Sequence, residues 1–237
     1  MYTKSIKRVQ GSIFPIFQYS KQGYGILGTG FFIDDEGRFL TASHVISSLK
    51  PGCQLGYLGN VPNQSLSLNV FTPISIIQND PSKDLAVGMV LTGKLQPLNF
   101  ASSSADVGQS VILCGYPLAV IQHQATVNNA KNQVNVILNV SNVRQYWQPT
   151  IMIDSVLPNS LYNKTYKTFL VQDASLNGMS GGPIFDLNGD VVGVASANFT
   201  RQIPRPNSVP LIVENGIGID LLEVKHFVSK ALNLVSV

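Results

Sequence analysis

The stretch Asn177-Gly-Met-Ser-Gly-Gly-Pro183, running into Ile184-Phe-Asp186 and a Leu-Asn-Gly turn, is the most constrained part of this sequence. Three glycines surround one serine. Glycine adopts backbone angles that a side chain resists, so a loop of this composition folds tightly and can aim successive N–H groups at one point. Converging N–H groups hold a developing oxyanion, and a serine between them is placed as a nucleophile. On its own the motif also suits an ordinary glycine-rich β turn.

A serine hydroxyl is a weak nucleophile unless a neighbouring base takes its proton. Only three histidines are present, His44, His123 and His226. His44 sits in Phe39-Leu-Thr-Ala-Ser-His-Val-Ile46, where a strand ends in small residues and the imidazole projects from the end of a barrel wall. His226 falls inside a helical pattern and His123 in a Gln-rich stretch, and both read as surface or packing histidines. The base in turn needs a carboxylate that holds its tautomer and stabilises the imidazolium. Asp84 is the best candidate, since it follows the turn Asn79-Asp-Pro-Ser-Lys83 and opens the apolar run Leu85-Ala-Val-Gly-Met-Val90. Asp80 and Asp106 are rivals in more exposed settings.

Outward from these segments, short runs rich in Val, Ile, Phe, Thr and Leu alternate with clusters of Gly, Asn, Ser, Asp and Pro, an all-β rhythm. Candidate strands lie at 12–19, 25–33, 38–42, 66–77, 85–91, 110–114, 133–140, 168–171, 191–197 and 216–219. So many short strands suit barrels or sandwiches. Near the end, Leu221, Leu222, Val224, Phe227, Val228 and Leu232 recur at helical spacing, and Asp220 with Glu223 reads as a capping box. The small, polar residues 99–108 read as a crossing between two halves. Residues 122–167, rich in Asn, Gln and Ser, read as long surface loops with one strand.

A chain of 237 residues, 44% hydrophobic and 12% charged, has the composition of a folded protein with a sizeable core. The net charge of +3 comes from scattered Lys and Arg, too sparse for a nucleic-acid footprint. The two cysteines, Cys53 and Cys114, read as reduced packing residues and not as a disulfide framework. The N-terminus lacks the long apolar core and cleavage site of a leader, and no apolar run reaches bilayer length, so a cytoplasmic protein without membrane contact is expected. No cluster of His, Cys or carboxylates has metal-ligand spacing, so neither metal nor cofactor is expected.

The order His, Asp, Ser resembles the trypsin-like and chymotrypsin-like serine protease superfamily, and within it the HtrA-type protease domain. Gly28-Thr-Gly-Phe-Phe-Ile33, Thr41-Ala-Ser-His-Val45, Asp84-Leu-Ala-Val87, Asp173-Ala-Ser-Leu-Asn177 and Gly178-Met-Ser-Gly-Gly-Pro183 carry the likeness. It implies a chymotrypsin-like fold of two six-stranded antiparallel β-barrels with a C-terminal helix, in a single protease domain over 1–237. The barrels are expected at about 11–100 and 107–219, and the helix at about 220–234. It implies His44, Asp84 and Ser180 as the triad, the N–H groups of Gly178 and Ser180 as the oxyanion hole, and Ala174, Asn177, Ser196, Ala197 and Asn198 along the substrate. Met179 stands where digestive relatives carry an acid before the serine, so activation by a freed N-terminus is not expected. No PDZ domain is read after the helix, and a trimeric, peptide-gated role is not expected either.

The expected function is therefore a serine endopeptidase working through an acyl-enzyme, a dedicated intracellular processing enzyme whose partner is a protein or peptide substrate, even one dedicated protein. Ala174 at the pocket base and Asn198 narrowing its entrance imply small aliphatic residues on the acyl side of the cut. A catalytically silent relative that binds peptides is the second reading, and an unrelated β-barrel binding module the third.

Overall fold

The computed structural model describes residues 2–21, 23–58, 71–91, 95–118, 123–128, 133–138, 143–156, 165–206 and 208–233. Six strands, β1 (Ile13–Ser20), β2 (Gly23–Phe32), β3 (Arg38–Thr41), β4 (Gln54–Tyr57), β5 (Thr72–Asp80) and β6 (Leu85–Val90), close an antiparallel barrel in the order β1-β2-β3-β6-β5-β4. A second barrel runs β10-β11-β14-β13-β12-β7, from β7 (Ser110–Gly115), β10 (Tyr146–Val156), β11 (Thr168–Val171), β12 (Pro183–Phe185), β13 (Val191–Arg205) and β14 (Ser208–Asp220). A hairpin of β8 (His123–Asn128) and β9 (Gln133–Leu138) stands apart from both. Helices α1 (Tyr2–Val9), α2 (Ser43–Ser47) and α3 (Leu221–Ala231) complete the fold. This all-β pair of six-stranded barrels with a C-terminal helix is the architecture that the resemblance implied.

Aromatic rings fill the first barrel: Phe14 meets Phe32, Phe39 and Tyr57 at centroid separations of 4.6, 5.2 and 4.9 Å. Met152, Phe169, Val171, Ile184 and Val192 fill the second. A further cluster joins Leu40, Leu85 and Val87 of the first barrel to Ile112, Phe185 and Val191 of the second and to Val224 and Phe227 of α3. Continuous apolar burial across the joint makes the two barrels one packed body, which fixes the seam in which the site lies.

Several expectations need correction. Asp220 does cap α3 by accepting from Leu222 N at 3.0 Å, but Glu223 completes no capping box. Glu223 instead pairs with Lys83 Nζ at 2.6 Å and accepts from Lys167 N at 3.2 Å, so α3 holds the turn that precedes Asp84. Residues 122–167 contain three strands, and one of them, β10, is a barrel wall paired to β7 from Tyr146↔Gly115 to Ile151↔Ser110. Its Gln148, Pro149 and Asp154 break the apolar run by which a strand is recognised. The parts of that region at 122, 129–132, 139–142 and 157–164 lie outside the described residues, as do 66–70 of the strand expected at 66–77. Helix α1 was not anticipated, because its anchors are tertiary: Ser5 Oγ donates to Leu187 O and Arg8 pairs with Asp190 at 3.1 Å.

Candidate active site

β3 ends at Thr41 and α2 starts at Ser43, so His44 stands in the first turn of a short helix on the rim of the first barrel. Its Nδ1 lies 2.9 Å from Asp84 Oδ1 and 3.0 Å from Oδ2, and its backbone N–H donates to Oδ1 at 3.0 Å. Ser43 N donates to the Asp84 carbonyl at 3.1 Å. Asp84 takes these bonds with φ of +55°, a left-handed backbone rare for a residue with a side chain. That conformation turns its carbonyl and its carboxylate together towards residues 43 and 44. Strain of this kind persists where surrounding contacts over-determine it.

Ser196 Oγ supplies another donor to Asp84 Oδ2, at 2.5 Å. Burial alone would push the Asp84 carboxyl up, but hydrogen bonds from His44 and Ser196 and the attraction of a charged His44 hold it below its ordinary value. The Asp84 side chain is 11% exposed and that of His44 47%, so the acid is sheltered while the imidazole remains open to a reactant.

The serine loop is packed against the first barrel. Gly178 and Gly181 have φ of +99° and +82°, and a Cβ at these positions would lie 2.4 Å from Tyr116 O and 2.1 Å from Thr41 Oγ1. Both glycines are thus required by space as well as by angle. Within the loop, the N–H groups of Met179, Gly181 and Gly182 donate to Leu176 O, Ala195 O and Met179 O. Those of Gly178 and Ser180 meet no acceptor among the described residues, so the loop presents two uncommitted donors.

Thr29 of β2 ties the loop down from the other barrel. Its N–H donates to Ser180 O at 2.9 Å and its hydroxyl to Gly178 O at 2.8 Å, while Tyr116 N donates to that hydroxyl at 3.0 Å. Thr41 Oγ1 donates to Thr29 O at 2.7 Å. Ser180 Oγ donates to Ser196 O at 3.2 Å, and no hydrogen bond joins it to His44 among the described residues. The structure therefore joins base and acid directly, and the acid is linked to the serine through Ser196.

Of the residues expected along the substrate, Ala174 is half-buried, and its carbonyl accepts from Gln148 Nε2 at 2.9 Å. Asn177 is exposed, with its carbonyl bonded to Leu118 N at 2.7 Å. Ala197 is half-buried beside Leu170, Ile217 and Phe199. Asn198 does not hang free at a pocket mouth: its Oδ1 accepts from Ser175 N and Oγ at 2.8 Å each and its Nδ2 donates to Ser175 O at 2.7 Å. Its short amide matches the backbone of the facing loop, and it acts as a tether. Ile219 of β14 is fully buried in the core.

The rival carboxylates are engaged elsewhere. Asp80 Oδ1 accepts from Ser82 N at 3.0 Å and Lys83 N at 3.3 Å in its own turn, and Asp106 lies in the exposed turn closed by Gln109. His226 is exposed on α3 and His123 lies on β8. Thr29 was missed. Its motif Gly28-Thr-Gly30 was legible, but the use of its hydroxyl depends on a loop about 150 residues away. Among the described residues no three His, Cys, Asp or Glu side chains gather as a metal site.

Comparison with known proteins matches residues 28–194 to the trypsin-like peptidase domain family. A probable periplasmic serine endoprotease, DegP-like, of Hahella chejuensis is 30% identical over 177 residues, which is 74% of this chain and 30% of that protein. The chain thus spans about a third of the length of such curated relatives. The active form of the Rv3671c protease of M. tuberculosis superposes with a TM-score of 0.65 at 21% identity, covering 96% of this chain and 83% of the other. The HtrA-type protease AlgW, with a decapeptide, gives a TM-score of 0.67 at 17% identity over 97% and 67%.

The cytoplasmic expectation is corrected by these relatives, which are named periplasmic and point to an exported location. The reason lies in what the sequence signal measures. A domain without a disulfide framework folds in either compartment, so cysteine usage does not decide between them.

Proposed function

The chain belongs to the trypsin-like peptidase family, and on that premise we propose that it is a serine endopeptidase of HtrA type with His44, Asp84 and Ser180 as its triad. The observation that carries the reading is the two-point bond between His44 Nδ1 and the sheltered Asp84, set beside a serine loop with two uncommitted N–H groups.

In this reading Ser180 Oγ turns from Ser196 O towards His44 Nε2 and gives up its proton as Oγ bonds to the scissile carbonyl carbon. The carbonyl π electrons move to oxygen, and the oxyanion is held by Gly178 N–H and Ser180 N–H. Collapse expels the amine, which takes the proton from His44 and leaves an acyl-enzyme. Water repeats the sequence and frees the acid. Asp84 stays ionised throughout, which its donors favour. Ser196 holds both ends of the arrangement, its hydroxyl on Asp84 and its carbonyl beside Ser180.

The substrate is a protein or peptide chain whose acyl side runs along residues 196–198. Ala174 at the pocket base offers no charge for a cation, which needs a paired acid when buried, and favours Ala, Val or Leu. The names of the relatives support an exported site of action. A silent relative that only binds peptides is the second reading, favoured by the bond of Ser180 Oγ to Ser196 O in place of His44. Labelling by a fluorophosphonate separates the two: the peptidase reading requires rapid labelling of the parent and none of Ser180→Ala, and an unlabelled parent would sink it.

A further inference from the structure

Glu223 stands in the first turn of α3, where an acid suits the positive end of the helix and would ordinarily complete the cap. Its carboxylate does neither job for the helix alone. Oε2 accepts from Lys83 Nζ at 2.6 Å and Oε1 from Lys167 N at 3.2 Å, so both oxygens serve groups outside α3. Burial alone would push the Glu223 carboxyl up, but the bonds from Lys83 and Lys167 and the attraction of Lys83 and His226 hold it below its ordinary value. A charged acid thus meets the Lys83 ammonium.

Lys83 is the residue immediately before Asp84. Within its turn, Asp80 Oδ1 accepts from Ser82 N and Lys83 N, bonds that shape the turn without fixing it to the rest of the molecule. Lys83 fixes it across to α3, 140 positions further along the chain. On the other side of Asp84, Leu85 lies in one buried cluster with Val224 and Phe227 of the same helix. The helix therefore grips the chain on both sides of the acid, by charge before it and by apolar packing after it. Between the two grips Asp84 keeps its left-handed φ of +55°, a conformation that lasts only where its surroundings over-determine it.

We propose that Glu223 is a positioning residue for the catalytic acid: by holding Lys83 it fixes the turn from which Asp84 projects, and so sets the aim of the Asp84 carboxylate on His44. The inference rests on the peptidase reading and adds to it a control on the acid exerted from the terminal helix. Magnitudes separate this role from plain stabilisation. The side chains of Lys83 and Glu223 are 27% and 21% exposed, and an ion pair that water can reach contributes little to overall stability. Displacing a catalytic group by a fraction of an ångström, in contrast, lowers the rate steeply. Loss of the pair should therefore be read in kcat and hardly in the melting curve.

The test uses Glu223→Gln, which removes the charge and keeps an oxygen for Lys167 N, and Lys83→Met, which keeps the stem and removes the ammonium, with their double variant. On a quenched fluorogenic peptide with valine on the acyl side of the cut, each single variant should lose about 10-fold in kcat with KM unchanged. Melting temperatures should stay within about 3 °C of the parent. The double variant should cost no more than either single one, since both remove the same contact. Lys83→Arg, which keeps the charge, should bring kcat back near the parental value. In Ser180→Ala, where no turnover intervenes, the proton resonance of the His44 Nδ1–H bonded to Asp84 should move upfield when Glu223→Gln is added. A parental kcat in either single variant, additive losses in the double one, or a lowered melting temperature with kcat unchanged overturns the proposal. If the parent cuts neither the peptide nor casein, the peptidase reading fails. The hold of Glu223 on Asp84 and His44 is then judged by the resonance, and an unmoved resonance overturns that too.

Discussion

His44 and Asp84 come from one barrel and are joined by bonds of 2.9 and 3.0 Å, reinforced by backbone bonds from residues 43 and 44. Ser180 comes from the other barrel, and its hydroxyl bonds at 3.2 Å to a carbonyl of its own half. The first pair is thus preformed by local chain path, through the end of β3, the start of α2 and the left-handed Asp84. The serine depends on how the barrels are docked. Thr29 is the clamp that makes that docking specific, since it engages both Gly178 and Ser180 from across the seam. Geometry of a composite site is only as good as its least local joint.

Replacing the serine tests this division most severely. Ser180→Ala should lower turnover by about 10⁴ or more while the circular-dichroism spectrum and melting curve stay those of the parent. Cleavage near the parental rate would move the nucleophile elsewhere. Within the preformed pair, Asp84→Asn should cost roughly 10⁴ in kcat, because an amide holds the wrong His44 tautomer. Retained activity would return the role to Asp80 or Asp106.

The clamp should matter less, and differently. Thr29→Val keeps the volume and removes the hydroxyl that serves Tyr116 N and Gly178 O, both buried. The expected loss is about 1–3 kcal/mol of stability and about 10- to 100-fold in kcat. Thermal denaturation and steady-state kinetics check the two parts, and an unchanged kcat would show that the loop holds its place without Thr29.

The smallest effect is on stability against acid. The carboxyl of Asp84 lies lower in the folded chain than its ordinary value of 3.8, so its contribution is full above that value and is lost as pH falls through the lower, folded one. Denaturant midpoints should therefore drop below about pH 4, and more shallowly for Asp84→Asn. Equal slopes for parent and variant would remove Asp84 from the acid response.

The core of the fold was legible because burial imposes a pattern on sequence. Leu85, Ala86 and Val87 are buried and were read as a strand, and α3 showed its apolar stripe. The outer ribbon was not legible, since Thr200, Arg201, Gln202 and Pro204 bury nothing and carry no alternation. For the same reason β10 was hidden by its polar residues, and α1, only eight residues long, by the shortness of its apolar stripe of Tyr2, Ile6 and Val9. In the candidate site, the glycines of the serine loop were readable from composition. The hydroxyl partners were not, because Thr29, Ser196 and Ser175 are common residues whose roles arise only from what faces them.

Sequence alone determined the all-β rhythm, the terminal helix, and the three segments around His44, Asp84 and Ser180, because local backbone demands and apolar periodicity are written in adjacent residues. Tertiary structure alone decided that Ser196 bridges acid and serine, that Asn198 tethers Ser175, and that Glu223 holds the turn before Asp84. These are contacts between residues tens to more than a hundred positions apart, and a hydrogen bond is specified by distance and direction in space, which a linear sequence does not carry.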